Sequence, residues 1–457
     1  AAMPPLEAKK MLISMAVTQG IGYTGDDRGA GMCIDFIDIS RAFFHADAKR
    51  KVYIKLPDED YAEGMCGLLK KSLYGTRDAA QNWGESYMEF METQGFVKGK
   101  ASPCCFFQPK RNLRCVVHGD DFTVLGDRKH LDWFRSKIKE RYPVKIRGRL
   151  GPRESDDKQI RILNRILTWG ESGIEYEADQ RHAEIVIREL GLKDDSREVS
   201  SPADKRMETQ EPRKLEGAEA TQYRAMVARM NYLCQDRTDI AYTVKELSKG
   251  MSSPDTDSMA KLKRLGRYLK GTPRYVTKYP YQETLDKITV WTDTDFAGCT
   301  KSRKSTSAGI IQLGKHLIKS WSTNQAVIAL SSGEAEYYGM VKGGSMGLGS
   351  KAILDDLGIH LSEPIELKTD ASAAIGIACR VGIGKIRHIE VNQLWLQHRI
   401  ARGDFVAIKV DGEHNLADAL TKVLGGLSIS AHVDRVGSYT AKDRHELAPS
   451  LTDDTEE

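Results

Sequence analysis

The most informative segment of the chain reads Cys115-Val116-Val117-His118-Gly119-Asp120-Asp121-Phe122-Thr123-Val124-Leu125. Two short apolar runs rich in β-branched residues flank a polar break, a pattern typical of a β-hairpin. Gly119 supplies the backbone freedom that a tight turn requires. The segment therefore predicts a hairpin with Asp120 and Asp121 at its tip.

Two neighbouring acids at a hairpin tip repel each other. Carboxylates about 4 Å apart repel by roughly 4 kcal/mol at an effective dielectric of about 20. The tip therefore needs either full solvation or a bound cation. For this segment alone, an ordinary exposed Asp-Asp turn stays open as the alternative.

A second apolar strand can bring acid to the same place. It reads Ile34-Asp35-Phe36-Ile37-Asp38-Ile39 and continues as Ser40-Arg41-Ala42-Phe43-Phe44. A buried strand does not accept an aspartate without a partner. If this strand lies in one sheet with the hairpin, Asp38 joins Asp120 and Asp121 in a site for hard divalent cations. Such a site suits two-metal phosphoryl transfer, in which one ion activates a hydroxyl and the other stabilises the leaving oxygen.

Four segments in this order resemble the reverse transcriptases of copia-type LTR retrotransposons. In chain order, residues 38–44 resemble the Asp-Val-x-x-Ala-Phe-Leu motif, and Lys71-Ser72-Leu73-Tyr74-Gly75 with Trp83 resembles the Ser-Leu-Tyr-Gly-x-x-x-Ala-x-x-x-Trp segment. Ala101-Ser102-Pro103-Cys104 then resembles the Ala-Asp-Pro-Cys segment, and residues 117–121 resemble the Tyr-Val-Asp-Asp box. The resemblance implies a palm, which is an antiparallel sheet backed by helices. It also implies that Asp38, Asp120 and Asp121 are its catalytic, metal-binding residues.

Acids recur at ordered positions in the second half of the chain. A strand acid lies in residues 288–298, a helix acid in 331–338, a strand-end acid in 365–370 and a late helix acid in 414–422. Four carboxylates from separate elements of an α/β unit can converge on two divalent ions. Clustered like charges raise one another's pKa unless a cation keeps them ionised. Taken singly, each acid could instead be a solvated surface residue.

This order resembles the C-terminal ribonuclease H (RNase H) of copia-type Pol polyproteins. The matching segments are Thr292-Asp293-Thr294-Asp295-Phe296-Ala297-Gly298 for Asp-Ala-Asp-Trp-Ala-Gly, residues 331–337 for Ser-Ser-Thr-Glu-Ala-Glu-Tyr, Thr369-Asp370-Ala371-Ser372-Ala373 for Asp-Asn-x-Ser-Ala, and Asn415-Leu416-Ala417-Asp418 for Asn-x-Ala-Asp. By this resemblance the catalytic metal ligands are Asp293, Glu336, Asp370 and Asp418.

The resemblance also ranks the remaining candidates. It favours Glu336 over Glu334, and it leaves Asp295 as a weaker candidate. His388 stands in Arg387-His388-Ile389, where the family has Lys-His-Ile. It is a candidate accessory residue for substrate positioning or product release, with a purely structural histidine as the alternative.

Composition excludes several classes of protein. The 457 residues are 40% hydrophobic and 29% charged, which is typical of a soluble globular chain of about three domains. No apolar run approaches the roughly 20 residues that cross a membrane, and no secretory signal is visible. The 8 cysteines include no Cys-x-x-Cys pair, which argues against a zinc site or a disulfide framework. Because the net charge is only +4, nucleic-acid binding must depend on local patches.

One local basic patch is a predicted helix at 261–272. Its Lys and Arg residues, with Tyr268, could follow a phosphate backbone, and a solvated helix face is the alternative. Residues 236–242 and 261–272 also resemble the family's Thr-Arg-Pro-Asp-Ile-Ala-Tyr and Leu-Arg-Tyr-Leu-Lys-Gly-Thr segments. That likeness supports the family and implies no chemistry.

The resemblance covers about residues 4–425 and implies an α/β (α+β) chain of four parts. These are a palm with its fingers largely missing (1–145), a thumb or connection region (146–280), an RNase H-like domain with a mixed sheet flanked by helices (281–425) and a polar, acidic, disordered tail (426–457). The family's chain begins earlier, so we expect an N-terminally truncated piece that captures nucleotides poorly. The chain departs from the family at His118 in the Asp-Asp box, and at Asn324 and Leu394 in the RNase H half.

The implied function is that of a retrotransposon reverse transcriptase and RNase H. It comprises template-directed DNA synthesis, which the truncation is expected to impair, and hydrolysis of RNA in RNA·DNA hybrids, with two Mg²⁺ or Mn²⁺ ions at each site. Expected partners are an RNA template, a DNA primer, the hybrid, dNTPs and other pieces of the same polyprotein, but no membrane. Hybrid recognition would rest on backbone shape and 2′-hydroxyls.

The expected location is a cytoplasmic virus-like particle or the nucleus. Two other functions stay open from sequence. One is a non-catalytic nucleic-acid-binding remnant, and the other is a structural fragment of a particle. The three readings differ in whether the seven acids converge as metal sites or lie dispersed over the surface.

Overall fold

A computed structural model describes residues 3–204, 211–384 and 386–451. The chain divides into two compact units. The first unit comprises Ala1–Lys158 with Gly349–His360, and the second comprises Gln159–Leu348 with Leu361–Glu457. The first unit thus extends beyond the predicted boundary at 145, and most of the predicted connection region shares the second unit with the RNase H-like segment. The predicted α/β class is confirmed, because both units combine sheets and helices.

The first unit is built on an antiparallel sheet. Its helices are α1 (Leu6–Ala16), α2 (Ala79–Thr93) and α3 (Arg128–Arg141), and its strands are β1 (Cys33–Ile39), β2 (Tyr53–Ile54), β3 (Gly67–Leu68), β4 (Val97–Lys98), β5 (Cys105–Gln108), β6 (Leu113–His118), β7 (Asp121–Gly126) and β8 (Val144–Leu150). Six strands pair in the order β4-β5-β6-β7-β1-β8, and every neighbouring pair is antiparallel. The remaining two strands, β2 and β3, pair with each other.

The core of the first unit lies between this sheet and two helices. Trp83 of α2 and Phe134 of α3 are buried in one apolar cluster with Val117 of β6 and Phe122 of β7. Alternate residues of a strand share a face, and the members of this cluster are accordingly every second residue of β6 and β7: Leu113, Cys115 and Val117, then Phe122 and Val124. Burying such a side chain contributes about 1.5–3 kcal/mol, which fixes the register of the strands that carry the acids.

Asp35 of β1 is fully buried and is ion-paired twice. Its carboxylate accepts hydrogen bonds from Nε and Nη2 of Arg135 at 2.6 and 2.9 Å, and from Nε and Nη2 of Arg149 at 2.7 and 3.0 Å. Two bidentate pairs supply the partners that water cannot provide here. The expectation that an acid inside this strand needs a partner is confirmed at Asp35.

The second unit contains two five-stranded sheets. Its helices are α4 (Gln180–Glu189), α5 (Gly217–Leu233), α6 (Ala241–Lys249), α7 (Thr256–Gly271), α8 (Ser332–Asp356, whose last residues group with the first unit), α9 (Ser372–Ala378), α10 (Trp395–Ala401) and α11 (Gly426–Arg435). Its strands are β9 (Gln159–Ile162), β10 (Arg165–Gly170), β11 (Gly173–Glu177), β12 (Arg274–Pro280), β13 (Ile288–Asp295), β14 (Thr306–Leu313), β15 (His316–Asn324), β16 (Ile365–Thr369), β17 (Phe405–Lys409) and β18 (Ser438–Ala441).

The two sheets of the second unit differ in topology. One sheet has the order β18-β12-β11-β10-β9 and is antiparallel. The other has the order β15-β14-β13-β16-β17, in which β13 and β16 are parallel, as are β16 and β17. It is the mixed sheet expected for the RNase H-like segment. None of the helices in the described parts of the chain has both the length and the apolar character needed to cross a membrane.

The predicted disordered tail is wrong for residues 426–451. Helix α11 and strand β18 lie in this segment, and β18 pairs with β12 from Ser438 to Ala441. Ile429 and Val433, one helical turn apart, are buried in the core formed by α4 to α7. This apolar stripe explains why the segment folds despite its polar composition. Residues 452–457 lie outside the described part.

The predicted phosphate-tracking role of Tyr268 is also wrong. Tyr268 is buried on α7, and its hydroxyl donates a hydrogen bond to Asp239 at 2.8 Å. Leu262, Leu265 and Leu269 of the same helix are buried in the core as well. The basic residues of α7 therefore lie on the other face of a helix that is anchored for structural reasons.

Removal of the buried charge on Asp35 should destabilise the first unit. We expect Asp35→Ala to lower its free energy of unfolding by roughly 3 kcal/mol, because Arg135 loses its carboxylate partner and Arg149 loses the buried one of its two. Hydrogen exchange of peptides covering β1 and β7 measures this loss. Asp132→Ala is the matched control, because the exposed Asp132 also pairs with Arg149, at 2.8 Å, and should cost less than about 1 kcal/mol. Equal effects of the two substitutions would contradict the expected role of Asp35.

The buried His432 of α11 should make the second unit less stable in acid. Burial lowers the pKa of His432 from 6.5 to about 4, and its Nε2 lies 2.9 Å from Thr238 Oγ1. Between pH 6.5 and 4 the His432 imidazole is protonated in the unfolded chain and stays neutral in the folded chain. The free energy of unfolding therefore falls by up to roughly 3 kcal/mol as the pH is lowered through this range. His432→Gln should remove this part of the loss in unfolding experiments at pH 7 and pH 4.5. An unchanged pH dependence in the variant would exclude His432 as the cause.

Candidate active sites

The predicted hairpin is present and places two of its acids beside Asp38. In β6 and β7, His118 pairs with Asp121, so Gly119 and Asp120 form the turn. Gly119 has φ +66°, a conformation that glycine adopts without strain. The indole nitrogen of Trp83 donates to the Gly119 carbonyl at 2.9 Å and ties the turn to α2.

Strand β1 completes this group, which we call the palm acids (Asp38, Asp120 and Asp121). Asp38 pairs with Asp121 across β1 and β7, and the amide of Ile39 donates to the carbonyl of Asp120 at 3.1 Å. Burial raises the pKa of Asp120, and the negative charge of Asp38 adds to this shift. Burial likewise raises the pKa of Asp121, against the opposing influence of Arg147. The structure therefore brings the three predicted residues together.

An arginine that the sequence analysis did not single out lies among the palm acids. Arg147 of β8 is ion-paired with Asp38, and its Nε lies 3.2 Å from Asp38 Oδ2 and 3.7 Å from Asp121 Oδ1. Asp121 Oδ1 is buried and has no hydrogen-bond partner among the described residues. The palm acids thus face a guanidinium as well as one another, which distinguishes them from the second group of acids. Nothing in the sequence around Arg147 indicated this contact.

The second group of acids fits a divalent cation. Within the described residues, Asp293, Glu336 and Asp370 each offer a carboxylate oxygen within 4.8 Å of the other two. We call these residues the carboxylate trio. They come from three elements: Asp293 from β13, Glu336 from the first turns of α8, and Asp370 from the end of β16. Because β13 and β16 are parallel neighbours, Asp293 and Asp370 lie toward the same end of the sheet.

The trio is strongly repulsive when no cation is bound. Burial, with the charges of Asp370 and Asp418, raises the pKa of Asp293 to about 6. Burial, with the charges of Asp293 and Asp370, raises the pKa of Glu336 to about 9. Glu336 Oε2 is buried with no hydrogen-bond partner in the described chain. An orphaned carboxylate oxygen aimed at two other acids is the arrangement that a hard cation would satisfy.

The fourth predicted ligand, Asp418, lies close to the trio without joining it. The sequence predicts a terminal helix here, but the structure has only a short 3₁₀ turn, Asp418–Leu420. The carboxylate of Asp418 is ion-paired with Lys422. Thr421, in the same turn, donates a hydrogen bond to Asp293. Asn415, in the quoted Asn-x-Ala-Asp segment, donates to the Thr292 carbonyl at 3.0 Å and holds this turn against β13.

Glu334 and His388 form a separate contact beside the trio. Glu334 is buried and accepts from Tyr338 Oη at 2.8 Å and from the Leu330 amide at 3.0 Å. Nε2 of His388, a half-exposed residue, lies 2.9 Å from the Glu334 carboxylate. Glu334 therefore supports the start of α8, which accounts for its separation from Glu336. Asp295, the weaker candidate, lies at the end of β13 beside the turn at Gly298 and outside the trio.

Comparisons with known proteins cover both halves of the chain. Residues 27–151 match the family described as reverse transcriptase (RNA-dependent DNA polymerase). The chain is 25% identical over 407 residues to the retrovirus-related Pol polyprotein from transposon TNT 1-94 of Nicotiana tabacum, covering 86% of this chain and 30% of that protein. It is 27% identical over 413 residues to the Pol polyprotein from transposon RE2 of Arabidopsis thaliana, covering 88% and 27%. The chain thus spans less than a third of these relatives.

A solved structure shows a weaker likeness. It is the foamy viral protease-reverse transcriptase in complex with an RNA/DNA hybrid, with a TM-score of 0.48 and 10% identity over 90% of this chain and 46% of that one. The sequence matches carry the assignment. Over most of its length the chain is similar to the Pol polyproteins of copia-type transposons, and residues 27–151 match the reverse transcriptase family.

Proposed function

We propose that the carboxylate trio of the second unit is the metal-binding centre of a ribonuclease that hydrolyses the RNA strand of RNA·DNA hybrids. The observation that carries this proposal is the convergence of Asp293, Glu336 and Asp370 from three elements onto one cation-sized space. A structural fragment or binding remnant would have no need to hold three repelling acids together. The resemblance of the surrounding segments to the RNase H motifs supplies the substrate class.

The residues of the site have distinct parts in this proposal. Asp293, Glu336 and Asp370 would hold Mg²⁺ or Mn²⁺, and two such ions would activate a water molecule and stabilise the leaving oxygen. The hydroxyl of Thr421 orients Asp293. Asp418 is the proposed fourth ligand, with Lys422 as its counter-ion. His388 is the proposed accessory residue, held by Glu334.

The first unit supports a second, related activity. Its match to the reverse transcriptase family supports template-directed DNA synthesis on an RNA template from a DNA primer with dNTPs, with the palm acids as the catalytic residues. In the full-length relatives this region is part of a longer polyprotein, so other pieces of that polyprotein are proposed partners. The proposed location is a cytoplasmic virus-like particle or the nucleus.

Cleavage of a labelled RNA·DNA hybrid in Mg²⁺ tests the ribonuclease directly. We expect Asp293→Asn to reduce cleavage at least about 100-fold, equivalent to about 2.7 kcal/mol of transition-state stabilisation. Asp38→Asn is the control, because it makes the same change at the palm acids and should leave cleavage intact. If the parent chain, shown to be folded by circular dichroism, cleaves no hybrid, the non-catalytic remnant is the better reading.

Cation binding at the trio should release protons. At pH 7 the Glu336 carboxyl, with a pKa of about 9, is protonated, and Asp293, with a pKa of about 6, is partly so. A bound cation requires both ionised, so affinity should rise with pH between about 6 and 9, with about one proton released per site at pH 7. Calorimetric titration with Mn²⁺ in buffers of different ionisation enthalpy measures this release. Glu336→Gln should abolish it, and a parent that binds Mn²⁺ without releasing protons would contradict the assigned site.

A further inference from the structure

In both the palm acids and the carboxylate trio, carboxylates lie close enough to repel one another, but the charges around the two groups differ. In the trio, acids face one another, and burial with mutual repulsion raises the pKa of Asp293 and of Glu336. Among the palm acids, Arg147 supplies a permanent positive charge. A guanidinium is always charged and offers several donors in a fixed plane, so it can lie against two carboxylates at once while its single charge offsets one of their two negative charges.

The position of Arg147 follows from an irregularity in the sheet. Phe36 of β1 pairs with Gly148 of β8, but the next residue, Ile37, pairs with Ile146. Arg147 is thus the extra residue of a β-bulge. Bulges re-aim side chains and are frequent next to active sites. Here the bulge turns the guanidinium toward Asp38 and Asp121.

Other charged residues also act on the carboxylates of Asp121 and Asp120. Lys9 of α1 adds a second positive influence on Asp121. Asp120, in the turn, is influenced by Asp38 and by Arg147. The palm acids therefore have positive charge from two elements, Arg147 of β8 and Lys9 of α1, whereas no cationic side chain is ion-paired with a carboxylate of the trio in the described parts of the chain.

We propose that Arg147 is the resident counter-ion of the palm acids and that it competes with divalent cations for them. At cation concentrations that fill the carboxylate trio, the palm then stays unfilled, and the ribonuclease half works independently of the polymerase half. The inference rests on the proposed function only for the identity of the two acidic sites. A cation can bind the palm acids when the Arg147 side chain moves away from Asp38 and Asp121. Arg147 therefore raises the divalent-cation concentration that the polymerase half needs.

Mn²⁺ binding followed by electron paramagnetic resonance tests this without any activity measurement. The parent for this test carries Asp293→Asn and Asp370→Asn, so that Mn²⁺ binding at the trio is removed. In this background Arg147→Gln should bind Mn²⁺ at least about tenfold more tightly than the unsubstituted palm, because one repelling charge is gone. Adding Asp121→Asn should abolish the gain. Lys145→Gln is the matched control, since it removes the same charge from exposed Lys145, which lies opposite Asp38 in the sheet but is not ion-paired with it, and it should change affinity less than about threefold.

Each outcome decides the proposal. A gain with Arg147→Gln that Asp121→Asn reverses supports it. It is overturned if the background chain already binds Mn²⁺ through Asp121 as tightly as the Arg147→Gln variant, or if that variant gains nothing while its circular dichroism is unchanged. It is also overturned if Lys145→Gln gives an equal gain, which would mean that general charge and not the ion pair controls the site. None of these results depends on hybrid cleavage, which tests the ribonuclease separately.

Discussion

Carboxylates held close together and away from water need a compensating charge, and this requirement organises both units. In β1 the need is met twice within four residues. Asp35 is neutralised by Arg135 and Arg149, which join the strand to α3 and to β8. Asp38 is neutralised by Arg147 of the same neighbouring strand. The pairs therefore fasten the strand that carries a catalytic candidate to the elements on either side of it.

The carboxylate trio is the exception, and that makes it the more informative site. Asp293 is buried and Glu336 and Asp370 are partly buried, yet Glu336 keeps an oxygen with no hydrogen-bond partner in the described chain. A protein can hold such a group only by protonating it or by binding a cation. Holding such a group costs stability, and strongly perturbed pKa values cluster at functional sites, which motivates the proposal made for the trio. Among the palm acids, Asp121 Oδ1 is likewise buried without a hydrogen-bond partner in the described chain, but Arg147 and Lys9 supply positive charge near it.

Other buried acids of the second unit show the structural use of the same chemistry. Arg237 and Asp239 are both fully buried and paired, with Tyr268 as a further donor to Asp239. Arg165 pairs in the same way with Asp236. Asp236, Arg237 and Asp239 lie in residues 236–242, whose likeness to the family implied no chemistry, and their side chains take part in contacts within the fold. Next to them, His432 of α11 lies 2.9 Å from the hydroxyl of Thr238, which ties the C-terminal segment to the core.

The sequence by itself determined the elements that local pattern controls. Short apolar runs predicted β1, β6 and β7, and Gly119 predicted the turn between β6 and β7, because these depend on local composition and on backbone freedom. The ordered acids predicted which residues would meet, and the structure brings together six of the seven, leaving Asp418 at the border of its site. Only the tertiary structure decided what surrounds them. Lys422 pairs with Asp418 only four residues away, so this contact was open to local reasoning. Arg147, by contrast, reaches the palm acids through a bulge, and the tail folds because its short apolar stripe packs into a core built from distant segments. These two contacts join residues far apart in the chain, so no local pattern could have revealed them.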